Sequence, residues 1–206
     1  MLAIVDYGMA NLRSVQKAFE NVGHSAQIIS TPEDVRRADH LVVPGVGAFR
    51  DAIALLERTG LAAAIKDHVK SGRPMLGICL GLQLLVDVGY EDGEHQGLGI
   101  LPGKCVRFTV DAPPLSLKVP HMGWNAITWD RPTPLFKGLS QGANVYFVHS
   151  YHIVPVDPSV VGAITDYGGQ FVSAIWKDNV MATQFHPEKS QEVGAAILRN
   201  FAQWQG

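Results

Sequence analysis

Charge is scarce in this sequence. Only 17% of its 206 residues are charged, against about 25% in an average soluble domain. A surface so short of charge suits partial burial against a partner. Neither sign is in surplus, because 17 Lys and Arg face 19 Asp and Glu for a net charge of −2. With no basic excess to neutralise a phosphate backbone, nucleic acid is not expected as a partner. Cysteine is nearly absent. Cys79 and Cys105 alone cannot build a disulfide framework, and the paired CxxC spacing of a zinc module is missing. Long hydrophobic runs are missing too. The longest charge-free apolar stretch, Pro74 to Val86, has 13 residues and is interrupted by Gly77, Gly81 and Gln83, which is too short to span a bilayer. The opening Met1-Leu2-Ala3-Ile4-Val5-Asp6 lacks the basic region of a signal peptide and reads as a strand. No membrane association and a cytoplasmic location are expected. Repeats, linkers and low-complexity segments are also lacking.

What remains is 47% apolar. At this length folding buries roughly 70% of the unfolded surface, enough for a core without disulfide or metal. The first half alternates strand and helix signals. Leu2–Val5, Ala26–Ile29, Leu41–Val43 and Met75–Ile78 are short apolar strands. Between them, Asn11 opens a helix with Leu12, Val15, Phe19 and Val22 on one face, and Thr31-Pro32 caps a second. Helical patterns follow over Arg50–Glu57 and Leu61–Val69, and another is expected from Cys79 to about Val88. Such alternation predicts an α/β fold with a mostly parallel sheet covered on both faces. The second half predicts strands over Lys104–Val110, Asn125–Trp129, Val145–Val154, Val161–Thr165, Phe171–Trp176 and Val180–Gln184, a more antiparallel layer. A helix over Ala195–Trp204 closes a single domain, residues 1–206.

Gly77-Ile78-Cys79-Leu80-Gly81 is the G-x-nucleophile-x-G elbow with Cys in the nucleophile position. Flanking glycines allow the sharp strand-to-helix turn, and the helix N-terminus below the sulfur favours the thiolate. Cys105 has none of these features and reads as structural. A nucleophilic cysteine needs a base and an orienting acid. Of eight histidines, His186 in Gln184-Phe185-His186-Pro187-Glu188 is the strongest candidate. In an extended segment Glu188 shares its side and reaches the imidazole. His149 and His152 are three apart, so in one strand they face opposite ways and no metal site is expected. Acyl transfer also needs oxyanion donors. The N–H of Leu80 is one, and the glycine-rich loop Pro44-Gly45-Val46-Gly47 offers another near Val46 or Gly47.

The elbow combined with His186-Pro187-Glu188 resembles the triad-type glutamine amidotransferases. Further segments narrow the likeness. Val5-Asp6-Tyr7-Gly8-Met9-Ala10-Asn11-Leu12-Arg13-Ser14-Val15, Val43-Pro44-Gly45-Val46-Gly47-Ala48-Phe49, Pro120-His121-Met122-Gly123-Trp124-Asn125 and Tyr146-Phe147-Val148-His149-Ser150-Tyr151 resemble the glutaminase subunits of imidazole glycerol phosphate synthase. Ala10, where that family often has Gly, and His152, where Tyr is common, depart from the pattern. The resemblance covers essentially the whole chain. It implies a flavodoxin-like three-layer sandwich and a glutaminase without cofactor. It also implies a heterodimer with a (βα)₈-barrel cyclase subunit, which uses the ammonia to make imidazole glycerol phosphate in histidine biosynthesis. Matching positions assign Gln83 and Glu91 to the substrate's α-amino and α-carboxylate ends, helped by backbone near Ser150 and Tyr151. They place Asn11, His121, Met122, Trp124 and Lys189 at or near the barrel interface. Two alternatives stand beside this reading: a glutaminase serving another biosynthetic amidotransferase, and a stand-alone cysteine α/β hydrolase.

Overall fold

Residues 1–206 are described by a computed structural model. Strand and helix alternate through β1 (Leu2–Val5), α1 (Leu12–Asn21), β2 (Ala26–Ile29), α2 (Pro32–Arg37), β3 (His40–Gly45), α3 (Phe49–Arg58), α4 (Leu61–Lys70) and β4 (Met75–Cys79). One helical turn, α5 (Leu80–Gln83), leads to β5 (Val86–Gly89), β6 (His95–Gln96) and β7 (Leu101–Arg107). The remainder comprises β8 (His121–Ile127), β9 (Ala143–His149), β10 (Tyr151–Pro155), β11 (Val161–Asp166), β12 (Gln170–Lys177), β13 (Val180–Thr183) and α6 (Gln191–Gln203).

The main sheet runs β2-β1-β3-β4-β13-β12-β11. Its first five strands are parallel, with β13 in fifth place, and β12 and β11 extend it antiparallel. This is the flavodoxin-like doubly wound order with an antiparallel edge. Both faces are buried, so each strand is apolar on alternate residues to opposite sides. Ala3, Val5, Leu41, Val43 and Met75 pack with α2, α3 and α4, while Leu2, Ile4, Val42, Leu76 and Ile78 pack with α1 and α6. Two smaller sheets, β10-β7-β5-β6 and the hairpin β8-β9, come from the long connection between β4 and β13.

Several elements depart from the sequence expectation, among them β7 and β8, which begin at Leu101 and His121, ahead of the expected Lys104 and Asn125. The helix after Cys79 stops at Gln83 instead of near Val88. The carbonyls of Leu84, Leu85 and Val86 accept from Leu98, Ile100, Leu101 and Gly99, so a continuing helix has lost its acceptors to the chain returning toward β7. The expected strand Val145–Val154 is two strands in different sheets. β9 pairs with β8 and β10 with β7, and the break at Ser150 is held by its carbonyl accepting from Phe108 N–H. α6 begins at Gln191, ahead of Ala195. Thr31 caps α2 as expected, accepting from Asp34 N–H. Asn11 precedes α1 without capping it, since its side chain accepts from Ser14 Oγ instead.

Candidate active site

β4 lies between β3 and β13, so the site is assembled from three adjacent strand ends, in the crevice where this fold class binds ligands. Gly45 is in register with Cys79 on one side, and Thr183 with Ile78 on the other. Cys79 ends β4 with φ 54° and ψ −107°, a left-handed conformation that a side chain rarely adopts. The strain sits on the cysteine itself. Its flanking glycines serve close approach, because a Cβ on Gly81 would lie 1.8 Å from the Val43 carbonyl oxygen and one on Gly77 2.8 Å from that of Gly81. Leu80 starts the single turn, and its N–H has no acceptor within that turn. A helix of four residues carries little macrodipole, so that expected source of thiolate stabilisation is weaker than the sequence implied.

His186 follows β13, with its backbone N–H on the Tyr146 carbonyl and its own carbonyl accepting from Ser190 Oγ. Its Nδ1 lies 2.7 Å from Glu188 Oε1, and both side chains are almost wholly buried. The contact is the expected one, but the route differs. Pro187–Lys189 form a 3₁₀ turn, and that turn, not an extended segment, folds Glu188 back onto the ring. The second ring nitrogen, Nε2, has no protein partner. Burial pulls the imidazole pKa down, but the Cys79 sulfur and the Glu188 carboxylate outweigh it and push the value up to about 10. The other cysteine, Cys105, is buried in β7 among apolar side chains, and desolvation raises its thiol far above the ordinary range.

Cys79, Leu80, His186, Val46, Gly47, Gln83, Glu91, Ser150 and Tyr151 all border one cavity of about 330 Å³. The structure thus brings together every residue expected at the nucleophile, oxyanion and substrate positions. Their present hydrogen bonds differ in kind. Val46 donates its N–H to the Met9 carbonyl at 2.9 Å, so that donor is turned away from the cavity. Gly47 beside it has φ 99°. Gln83 Nε2 donates to the Tyr151 carbonyl at 2.9 Å and to Gln184 Oε1 at 3.2 Å. One oxygen of Glu91 accepts from Phe49 N–H at 2.6 Å, anchoring the start of α3.

Gln184 is a site residue that sequence reasoning passed over. It is fully buried, and its Nε2 lies 3.8 Å from Cys79 Sγ. Its place directly before Phe185-His186 was the available signal. Of the residues expected at an interface, Asn11, Met122, Trp124 and Lys189 are exposed, with Met122 at 62%. Trp124 packs edge-on to Tyr146, over which Lys189 Nζ also lies. His121 is buried, 3.2 Å from His149. His149 and His152 stand on different strands, and His152 stacks on Phe108. No helix is long and apolar enough to cross a membrane.

A doubly wound sheet with a strained cysteine elbow, beside a His–Glu pair, has the form of a class-I glutamine amidotransferase, and the model of that family, "Glutamine amidotransferase class-I", matches residues 3–204. The chain belongs to this family and, within it, to the HisH subunits of imidazole glycerol phosphate synthase. It is 60% identical over 203 residues to "Imidazole glycerol phosphate synthase subunit HisH" of Syntrophotalea carbinolica, covering 98% of each chain. To the protein of the same name from Aquifex aeolicus it is 52% identical over 199 residues, covering 96% of this chain and 94% of that one. Among solved structures it is similar to PurLQS from Thermotoga maritima, with TM-score 0.78 at 17% identity, covering 100% of this chain and 98% of that one. At that identity the likeness speaks for the fold alone.

Proposed function

We propose that residues 1–206 act as a single glutamine amidotransferase domain that hydrolyses glutamine to glutamate and ammonia through Cys79, His186 and Glu188. The ammonia passes to a (βα)₈-barrel synthase subunit making imidazole glycerol phosphate and aminoimidazole carboxamide ribonucleotide for histidine biosynthesis. One observation carries this reading: a strained cysteine and a carboxylate-held imidazole open onto the same cavity. The Cys79 sulfur attacks the carboxamide carbon, and a tetrahedral oxyanion forms. Protonated His186, supported by Glu188, gives its proton to the departing ammonia. Water, deprotonated by the same ring, then cleaves the glutamyl thioester and restores the thiol. The Glu91 carboxylate and nearby carbonyls suit the substrate's α-ammonium group, and Gln83 takes part in holding the α-carboxyl end. The exposed Asn11, Met122, Trp124 and Lys189 form the docking face for the barrel subunit, with Trp124 as its apolar anchor.

The Leu80 N–H is one oxyanion donor. The second comes from the Val46–Gly47 loop, and at Val46 it requires the N–H that now bonds the Met9 carbonyl to turn toward the cavity. A missing donor typically slows acyl transfer by about 10²–10³-fold. Docking of the partner therefore speeds glutamine hydrolysis by favouring the turned peptide, a bias of a few kcal/mol. Ammonia release from glutamine, measured with and without the barrel subunit and its nucleotide, tests this. The expected result is slow release alone and release at least about 100-fold faster in the complex. Full-speed hydrolysis by the lone chain would remove the gating, and no release under either condition would remove the glutaminase assignment.

A further inference from the structure

The cavity is tied to strand β8 by hydrogen bonds whose direction is fixed at every step. The Tyr151 carbonyl, on the cavity wall, accepts from Gln83 Nε2 at 2.9 Å and faces His149 Nδ1 at 2.7 Å. A carbonyl oxygen only accepts, so His149 carries its hydrogen on Nδ1 and presents a lone pair on Nε2. That lone pair lies 3.2 Å from His121 Nδ1, which is therefore the donor. The lone pair left on His121 Nε2 faces Asn125 Nδ2 at 3.2 Å. The orientation of Asn125 is set independently, since its Oδ1 accepts from Ala126 N–H and its Nδ2 donates to the Asp166 carbonyl. With both rings neutral, no other assignment satisfies all five groups.

Neutrality follows from the surroundings. His121 and His149 are directly paired across β8 and β9, and both are buried. The rings of Phe108, Phe147 and Phe171 pack around them, and Tyr167 lies on His121. Burial lowers the pKa of His121 to about 4 and that of His149 to about 3. A buried polar pair inside an aromatic cluster is a poor choice for packing alone, because two apolar rings would fill the space without needing partners. What the pair adds is a fixed position for one carbonyl oxygen, the one that also anchors Gln83.

We propose that His121 and His149 are positioning residues for glutamine: His121 fixes the tautomer of His149, His149 holds the Tyr151 carbonyl, and that carbonyl aligns Gln83 in the substrate cavity. This rests on the reading of the cavity as the glutamine site. It also gives buried His121 a role other than direct contact with the partner, although Met122 beside it is exposed.

The test replaces the donor while keeping the ring. His121→Phe fits the aromatic cluster but cannot donate to His149. His121→Asn places an amide N–H close to where ring Nδ1 now lies and keeps the donation. In the assembled synthase, on a Cys105→Ser background, alkylation of Cys79 is followed with two probes. One is a diazoketone analogue of glutamine, which carries the α-amino and α-carboxylate groups, and the other is iodoacetamide, which carries neither. The expected result is a rise of about tenfold in the half-saturating diazoketone concentration for His121→Phe, equivalent to about 1.4 kcal/mol of lost binding. His121→Asn should recover most of it, and iodoacetamide should react alike in all three proteins. Nitrogen chemical shifts should report the Nδ1–H form of His149 in the parent and Asn proteins. Equal diazoketone saturation in the Phe variant overturns the proposal, and so does parallel slowing of iodoacetamide or an Asn variant no better than Phe. If the parent itself shows no saturable preference for the diazoketone, the glutamine reading of the cavity falls first.

Discussion

The two sides of the cleft are held by different forces. On the side of β4 and α5, the backbone does the holding. Cys79 is locked into a left-handed conformation because its neighbours, Gly77 and Gly81, pack against main-chain atoms with no room for a Cβ. On the side of β8, β9, β10 and the turn after β13, side chains do the holding. Glu188 fixes His186, His121 fixes His149, and Gln184 links Gln83 to the Cys79 sulfur. A backbone-held group is hard to move without unfolding. A group held by hydrogen bonds in a buried setting is adjustable but depends on each partner's protonation and presence. The proposed nucleophile sits on the first side and the proposed base on the second, and Gln83, carried by α5, is held across the cleft by the Tyr151 carbonyl and Gln184.

The sharpest way to break this contrast is at the reacting atoms. Cys79→Ala should reduce glutamine-dependent synthesis to below about 1% of the parent, while synthesis from ammonium salts continues. Glu188→Gln, across the cleft, keeps the contact but loses the charge and should slow turnover markedly less. Cys105→Ser, buried away from the chemistry, should stay within about twofold on the scale of ordinary substitutions. Steady-state assays with both nitrogen sources decide all three, and an active Cys79→Ala would remove the nucleophile.

Next in size is a backbone lesion. In Gly81→Ala the new methyl group would meet the Val43 carbonyl oxygen at 1.8 Å, so β3 and the elbow must separate. A loss of about 3 kcal/mol or more is expected, read as a fall of roughly 6–12 °C in Tm. A Tm within about 2 °C of the parent would show that the elbow is not held as described.

The last test is a pH dependence in which the side-chain side takes part. An unfolded histidine titrates near 6.5, whereas folded His121 and His149 stay neutral down to about 4 and about 3. Between these values the unfolded chain binds protons that the folded chain refuses, so stability falls as pH drops from 6.5 toward 4. His186 behaves oppositely. Its raised pKa of about 10 means that its contribution is complete below pH 6.5 and is lost as pH rises through 10. Thermal melting across this range should show both limbs. His121→Phe should make the acid limb shallower, leaving the shares of His149 and of buried His68 and half-buried His152, whose pKa values burial also lowers, and should leave the alkaline limb as it is. An unchanged acid limb would remove His121 from it.

Much of this was legible in the residue order, for identifiable reasons. The parallel half could be read because short apolar strands, the one-faced apolar spacing after Asn11 and Thr31-Pro32 are local signals. The elbow and His186-Pro187-Glu188 could be read because their geometry depends on near neighbours. The helix after Cys79 is shorter than expected because Leu82, Leu85 and Val86 have helical spacing in isolation, while the residues that take the carbonyls of Leu84, Leu85 and Val86 are Leu98–Leu101, beyond the reach of local spacing. The break at Ser150 was invisible for the same reason. Both strands are apolar, and only pairing with β8 and β7 separates them.

Local chemistry marks the residues proposed to carry the reaction: a cysteine between glycines, a histidine two residues before a glutamate, and a loop of Pro and Gly after a buried strand. These are interactions over a few residues, and sequence spacing sets them directly. Long-range folding decides everything that depends on distant carbonyls and rings. It selects Met9 as the acceptor for Val46 and Phe49 as the donor to Glu91, and it joins Gln184, Gln83, Tyr151, His149 and His121 into one hydrogen-bonded set. A hydrogen bond is only as good as a few tenths of an ångström allow, and that precision arises only when the two sides of the sheet and the inserted strands have packed.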